Sequence, residues 1–405
     1  MEKRNISGKK DSRKRIFLRP GVAQKFRLRR IVIISSCFLL VFGSCLYFFM
    51  FSNVQSVLAG TSYTWNGSIS SDWNTPGNWT PNAVPDSVDI ITIGAATRPL
   101  NLTSEVKITN LICNNSTSID FNGFYLTLLG NLTLNAGAII ELHGGHLNIL
   151  GNATFNGGII SDFDSLGLIN TTGSSCVFGN SAGGPTLNAS LNVSALNVTM
   201  RSTTFNRDLV ILKRGSGNDN SYGNNTFNGN TTFINNGSGN ILLANNVKDV
   251  FNKVVTFSNS GTAAIYPAYN DVSGTLFNDS IYVNSVSGNG VLFSGGSGTS
   301  TLGVNSNIVV GDLGFSAGTL SLRHFNQTSS YDLALPLGTN SVLSFGPTSI
   351  INGTVFGQAG GIVLNGATFS NKVSLVKTGV GNNAGTGGNI FTDSVEVTNS
   401  GSGYL

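Results

Sequence analysis

The feature that most limits what this chain can fold into is a stretch that it repeats. Shifted by 164 residues, 204–241 lies on 368–405 without a gap, and 13 of the 38 positions are identical. Phe205/Phe369, Lys213/Lys377, Phe227/Phe391 and Gly239/Gly403 are among the matches. A shorter beat runs inside the repeat: Phe205, Phe227, Phe251 and Phe277 follow one another at 22, 24 and 26 residues. Each Phe has partners at +4 and +6. These are Leu209 and Ile211, Thr231 and Phe233, Val255 and Phe257, and Ile281 and Val283. Phe369 and Phe391 repeat the pattern with Val373 and Leu375, then with Val395 and Val397. Positions i, i+4 and i+6 have one parity, so an extended strand would turn them to one face. One alternating strand per beat of roughly 20–30 residues predicts a β-solenoid.

Composition agrees with that architecture. Only 10% of residues are charged, and there are 51 Gly but 9 Pro. Scarce Pro suits continuous ladders, because Pro cannot donate to them. Abundant Gly, Asn, Ser and Thr suit tight turns. The expected fold is all-β, a right-handed parallel β-helix with an N-terminal cap, preceded by a signal or transmembrane helix.

The formal net charge of +4 is concentrated at one end. Residues 1–30 hold 12 of the 23 Lys and Arg against Glu2 and Asp11, so 31–405 carries 11 basic and 17 acidic groups, a net of −6. A folded part of that sign does not suit nucleic acid. The basic lead runs into 31–51, which is uncharged and long enough to span a bilayer. Ser56-Val57-Leu58-Ala59 then offers a small-residue ending for cleavage before Gly60. Two readings stand: a cleaved signal peptide and an uncleaved signal-anchor. Both hold the N-terminus in the cytoplasm, engage the inner membrane during export and send the remainder outside. Export permits a disulfide between Cys113 and Cys176, although two small buried hydrophobes in separate rungs are the favoured reading.

Four segments follow: a basic region 1–30, a signal or anchor 31–59, a Trp-containing cap 60–104, and solenoid repeats 105–405. Trp65, Trp73 and Trp79 all fall in the cap, with Pro76, Pro81, Pro85 and Pro99. Covering the open end of a stack is the favoured role for these aromatics, and a sugar-stacking platform is the alternative. Short strands between Gly and Asn turns are expected over 106–158, a looser pattern over 159–203, and no clean rung alignment over 297–365. Leu405 falls in mid-strand by comparison with the first copy, so the chain reads as the front of a longer repeat protein.

Tyr63-Thr64-Trp65-Asn66-Gly67, Asp72-Trp73, Asn78-Trp79, Pro85 and Asp89 resemble the openings of large secreted surface proteins of Bacteroidetes-type bacteria. The repeats, with Ala367-Thr368-Phe369 and Asn399-Ser400-Gly401-Ser402-Gly403, resemble the repeats of the same proteins. The resemblance covers 61–405. It implies a long extracellular adhesin-like β-solenoid, exported with a C-terminal sorting domain, whose partners are cell-surface glycans or other cells. The basic lead is longer than it implies. It also implies O-glycosylation in Asp-Ser-aliphatic triplets, which places candidates at Ser87, Ser165, Ser280 and Ser394. An ordinary turn role for those serines is the alternative.

Chemistry-bearing residues are sparse. Asp162 and Asp164 have the i, i+2 spacing that shares a strand face, as do Glu141 and His143, with His146 three residues on. Glu141, His143 and His146 form a conceivable metal set. The intervening Gly144-Gly145 reads as a turn with solvated imidazoles, so neither group is expected to catalyse. Phosphate-loop and nucleophile-elbow motifs are absent, and no cofactor is expected. Lys213 and Lys377, the charged pair matched across the copies, are expected to be solvated at strand ends. The functional expectation is a structural or adhesive solenoid that is not an enzyme. The alternative is a carbohydrate-binding or polysaccharide-cleaving β-helix.

Overall fold

A computed structural model describes residues 60–114, 117–163, 166–383 and 385–404. The basic lead, the apolar run and Ala59 lie outside the described residues, as do Asp164 and Ser165. Among the described residues no helix is long and apolar enough to cross a membrane.

The described unit is a parallel β-solenoid of about 14 turns. Each regular turn lays down three short strands, one per face. The first face is a single 14-stranded sheet; the second passes from a 10-stranded sheet to a four-stranded one; the third passes from eight strands to seven. One turn shows the pattern: Thr226–Phe227 on the first face, Thr231–Asn235 on the second and Ile241–Leu242 on the third. The ladders of successive turns are parallel and in register, as in Phe205↔Phe227, Phe227↔Phe251 and Phe251↔Phe277.

This geometry corrects the expected single strand per beat. Phe227 and Phe233 lie on different strands, separated by a corner at Gly229-Asn230. They converge because the chain bends around the core between them. A Cβ on Gly229 would lie 2.2 Å from the Arg207 backbone carbon of the preceding turn, so the corner demands glycine there. The Phe side chains stack along the axis, with centroids of Phe205–Phe227, Phe227–Phe251 and Phe251–Phe277 at 5.2, 4.5 and 5.0 Å. Rungs repeat at about 4.8 Å, so each ring lies over its counterpart one turn away.

The residue after each Phe faces outward and forms a second ladder. Asn206 donates its amide to Asn188 at 2.6 Å, Asn228 to Asn206 at 2.6 Å, Asn252 to Asn228 at 2.7 Å and Asn278 to Asn252 at 2.7 Å. Apolar and amide ladders therefore reinforce the same register on opposite sides of one backbone.

The segments with weak sequence patterns also stack. Strands at Ile159–Ser161, Leu168–Thr171 and Ser175–Phe178 complete a regular turn within the looser stretch. In 297–365 the register runs Phe277↔Leu302↔Gln327, so an amide occupies the place of the rung Phe. Gln327 is fully buried; it donates to the Tyr331 carbonyl at 2.7 Å and accepts from the Gly353 amide at 3.2 Å. Its polarity hides the beat in the sequence, while its hydrogen bonds keep the rung.

Cys113 and Cys176 are free and buried. They sit on different third-face strands, Asn110–Cys113 and Ser175–Phe178, so the separate-rung reading holds. Burial pushes the Cys176 thiol up to about 12 and raises that of Cys113 as well, which leaves neither as a reactive thiolate at neutral pH.

Trp65, Trp73 and Trp79 are buried and packed edge-to-face, with centroid distances of 4.9 and 4.8 Å from Trp79 to Trp65 and Trp73. Trp79 donates its indole N–H to the Trp73 carbonyl at 2.8 Å. The terminal strand of this sheet, Trp79–Thr80, pairs antiparallel with Ser62–Trp65. Buried rings of this kind do not offer a sugar-stacking platform.

A buried acid gives the stack a pH signature. Asp249 is fully buried and accepts from the Asn225 backbone and side-chain amides at 2.8 and 2.9 Å and from the Ala244 amide at 3.1 Å. Burial outweighs these donors and raises its carboxyl from 3.8 to about 7. A folded-state value above the unfolded one means stability that is fully present below about pH 4 and lost as pH rises through about 7. The expected loss between pH 4 and 8 is about 2–4 kcal/mol. Melting curves of the full-length chain should fall across this window, and Asp249→Asn should flatten the dependence. Equal slopes in the two proteins would refute the assignment.

Candidate functional site

The corner between the first and second faces is where chemistry-bearing side chains gather. Two successive turns share a pattern there: Asp120-Phe121-Asn122-Gly123, then Glu141-Leu142-His143-Gly144. The strands Ser118–Asp120 and Ile139–Glu141 pair with Asp120 directly opposite Glu141. Each then bends through a left-handed pair, Asn122 and Gly123 at φ 52° and 79°, His143 and Gly144 at φ 47° and 80°. Gly tolerates this conformation freely and Asn or His at modest cost. Gly145 is required by close approach, since a Cβ there would fall 2.3 Å from the Phe124 carbonyl oxygen.

The bend turns His143 back over the preceding turn, where its Nδ1 lies 2.8 Å from Asp120 Oδ1. Asp120, Glu141 and His143 are all half-buried, and one ligand atom from each lies within 4.8 Å of the others. This is the one group of three His, Cys, Asp or Glu side chains with that proximity among the described residues. The next turn changes character, because Ser161 stands opposite Glu141.

The conceivable Glu/His/His set is not brought together. His146 is not in the turn; it opens the strand His146–Ile149, and its ring stacks on Tyr125 at 4.4 Å. The turn holds only His143, and its imidazole is engaged with Asp120 instead of being freely solvated. Asp120 is the member that sequence reading missed. The signal was available as an acid two residues before Asn-Gly, 21 residues ahead of an acid two residues before His-Gly. Seeing it required aligning the short turns, whose interiors are otherwise dissimilar.

Asp162 has a structural task. It is buried and accepts from the Gly144 amide at 2.8 Å and the Gly167 amide at 2.7 Å, so it fixes the His143 turn from the following one. Phe163 beside it is largely exposed, with its ring 5.9 Å from that of His143. His324 lies elsewhere, on the turn after Leu322, and burial lowers its pKa.

Lys213 and Lys377 are not solvated strand-end residues: both are completely buried. Lys213 ends the strand Leu209–Lys213 and turns inward. Its Nζ donates to the Leu196 carbonyl at 3.1 Å, the Gly217 carbonyl at 2.6 Å and Asp219 Oδ1 at 3.2 Å. Lys377 donates to the Gly379 and Gly403 carbonyls at 2.7 and 3.2 Å. The register equivalents of Lys213 on the next turns are Asn235 and Asn259, whose amides likewise donate to the loop carbonyls of Gly239 and Ala263. The matched lysines therefore close a loop of the solenoid and present no charge to a ligand.

Ser87, Ser280 and Ser394 occupy corners, and Ser165 lies outside the described residues. Ser87 and Ser394 are exposed, whereas Ser280 is half-buried with its hydroxyl accepting from the Asn307 amide at 3.3 Å. Ser280 and Ser394 each precede a second-face strand, Ile281–Ser285 and Val395–Asn399.

No family model, curated protein or solved structure matches this chain.

Proposed function

We propose that this chain is an extracellular structural or adhesive β-solenoid that acts as a spacer and contact surface at the cell exterior and catalyses no reaction. The coil is right-handed in this reading, 31–59 serves as signal or anchor, and 60–104 caps the first turn. Ser87, at an exposed corner, is an accessible glycan acceptor. The observation that carries the proposal is the continuity of the stack. About 14 turns stack with one face as a single hydrogen-bonded sheet of 14 strands, which at the usual strand spacing amounts to roughly 65 Å of length. Such a ladder adds reach without a new core. Surface-protease treatment of intact cells, followed by binding of beads coated with full-length chain to cells and glycans, tests it. Protease sensitivity and attachment without turnover are expected. A protease-protected protein that attaches to nothing would sink the proposal.

One observation favours a second reading, a carbohydrate-binding or -cleaving solenoid. Tyr125, stacked on His146, is 41% exposed near the acidic corner, an exposed aromatic side chain of the kind that sugars contact. Release of new reducing ends from polysaccharide would support cleavage over adhesion.

A further inference from the structure

We propose that Asp120, Glu141 and His143 form a binding site for a divalent first-row transition-metal ion, with Zn²⁺ as its representative. The inference is independent of whether the solenoid is adhesive. Three features carry it. First, the donors are the right kind and close enough. Two carboxylates and one imidazole place a ligand atom each within 4.8 Å of the others, and Zn²⁺ draws such atoms to about 2.0–2.2 Å from itself. An ion entering here would displace the proton shared across the 2.8 Å contact between His143 Nδ1 and Asp120 Oδ1, release it to solvent and spread the two atoms to the separation of neighbouring tetrahedral ligands.

Second, the scaffold holds the donors together before any ion arrives. Register fixes Asp120 opposite Glu141 on adjacent turns, and two carboxylates at that spacing repel one another. A cation between them removes the repulsion. The His143 turn is itself anchored, since Asp162 accepts from the Gly144 amide at 2.8 Å and from the Gly167 amide at 2.7 Å.

Third, the chemistry selects the class of ion. Ca²⁺ takes six to eight oxygen ligands, and Mg²⁺ usually keeps most of its water. A mixed nitrogen and oxygen set of three suits Zn²⁺ and its neighbours, with water in the remaining positions. All three side chains are half-buried, so solvent can reach those positions.

The test is calorimetric titration of chelator-stripped full-length chain with ZnCl₂, and separately with CaCl₂. It is paired with visible absorption of the Co²⁺-loaded protein. The comparison protein is the Asp120→Asn, Glu141→Gln, His143→Gln triple variant, with Glu141→Gln alone as the mildest change. Hydrogen exchange of the strand His146–Ile149 reports whether each variant retains the solenoid. The expected result is one more Zn²⁺ per chain in the native protein than in the triple variant. Glu141→Gln should weaken affinity at least tenfold, and Ca²⁺ should not compete at equal concentration. Identical Zn²⁺ stoichiometry and affinity in native and triple-variant proteins would overturn the site. Ca²⁺ binding there more tightly than Zn²⁺ would overturn the class of ion.

Discussion

Lys213→Ala is expected to destabilise the turns around it by about 3–5 kcal/mol, the cost of removing one partner from a buried ion pair. The ammonium is fully buried and serves three acceptors at once, the Leu196 and Gly217 carbonyls and Asp219. Its loss strands two carbonyls and a carboxylate that is itself buried. Burial already raises Asp219 to about 6 despite the pull of Lys213, so without the lysine the acid would be forced further toward its neutral form. Replacing both partners by apolar residues, Lys213→Met with Asp219→Leu, should recover part of the loss, because no buried charge then remains while the Leu196 and Gly217 carbonyls stay unpaired. A solenoid unfolds by neighbouring turns, so the readout is local hydrogen exchange at Leu209–Lys213 and Thr231–Asn235. Unchanged protection in Lys213→Ala would show that the lysine does not hold its loop.

Phe251→Ala should have an effect of similar size, about 3–5 kcal/mol, by opening a cavity in the middle of a stack. Phe251 is 1% exposed, and its ring lies 4.5 Å from that of Phe227 and 5.0 Å from that of Phe277. The backbone on both sides is tied into the ladder and cannot collapse inward without breaking register. The Asn252 amide ladder outside the wall should localise the damage to the adjoining turns. Phe356→Ala is the matched control. That ring is 48% exposed on the second face, and its loss should cost less than about 1 kcal/mol. Urea unfolding followed by fluorescence and by exchange separates the two variants; equal effects would mean that the Phe ladder contributes no more than a surface ring.

The same residues show which parts of this protein could be read directly. The Phe beat and its +4 and +6 partners were legible because burial of one residue type recurs once per turn. The pattern vanished at Gln327, where hydrogen bonds to Tyr331 and Gly353 let an amide stand in for an aromatic ring. It also blurred around Asp162, which spends its carboxylate on the amides of Gly144 and Gly167. Parity alone placed Phe227 and Phe233 together for the wrong reason, since a corner and not a continuous strand turns both to the core.

The candidate site was half legible. Glu141 and His143 stood out as titratable neighbours, but Asp120 is distant in sequence and joins them only through register. The lysines were misread for a related cause. A charge at a strand end is usually hydrated, even one matched between two copies, and nothing local says that the following loop folds back to supply carbonyl oxygens. By itself, then, the sequence determined the repeating beat, the all-β class and the inward apolar residues of the Phe-led turns, because these depend on spacing along one turn. Tertiary structure decided the three-strand turn, the buried lysines and the meeting of Asp120 with His143. Those depend on which residue of one turn lies beside which residue of the next, and that is set by corner lengths that vary from turn to turn.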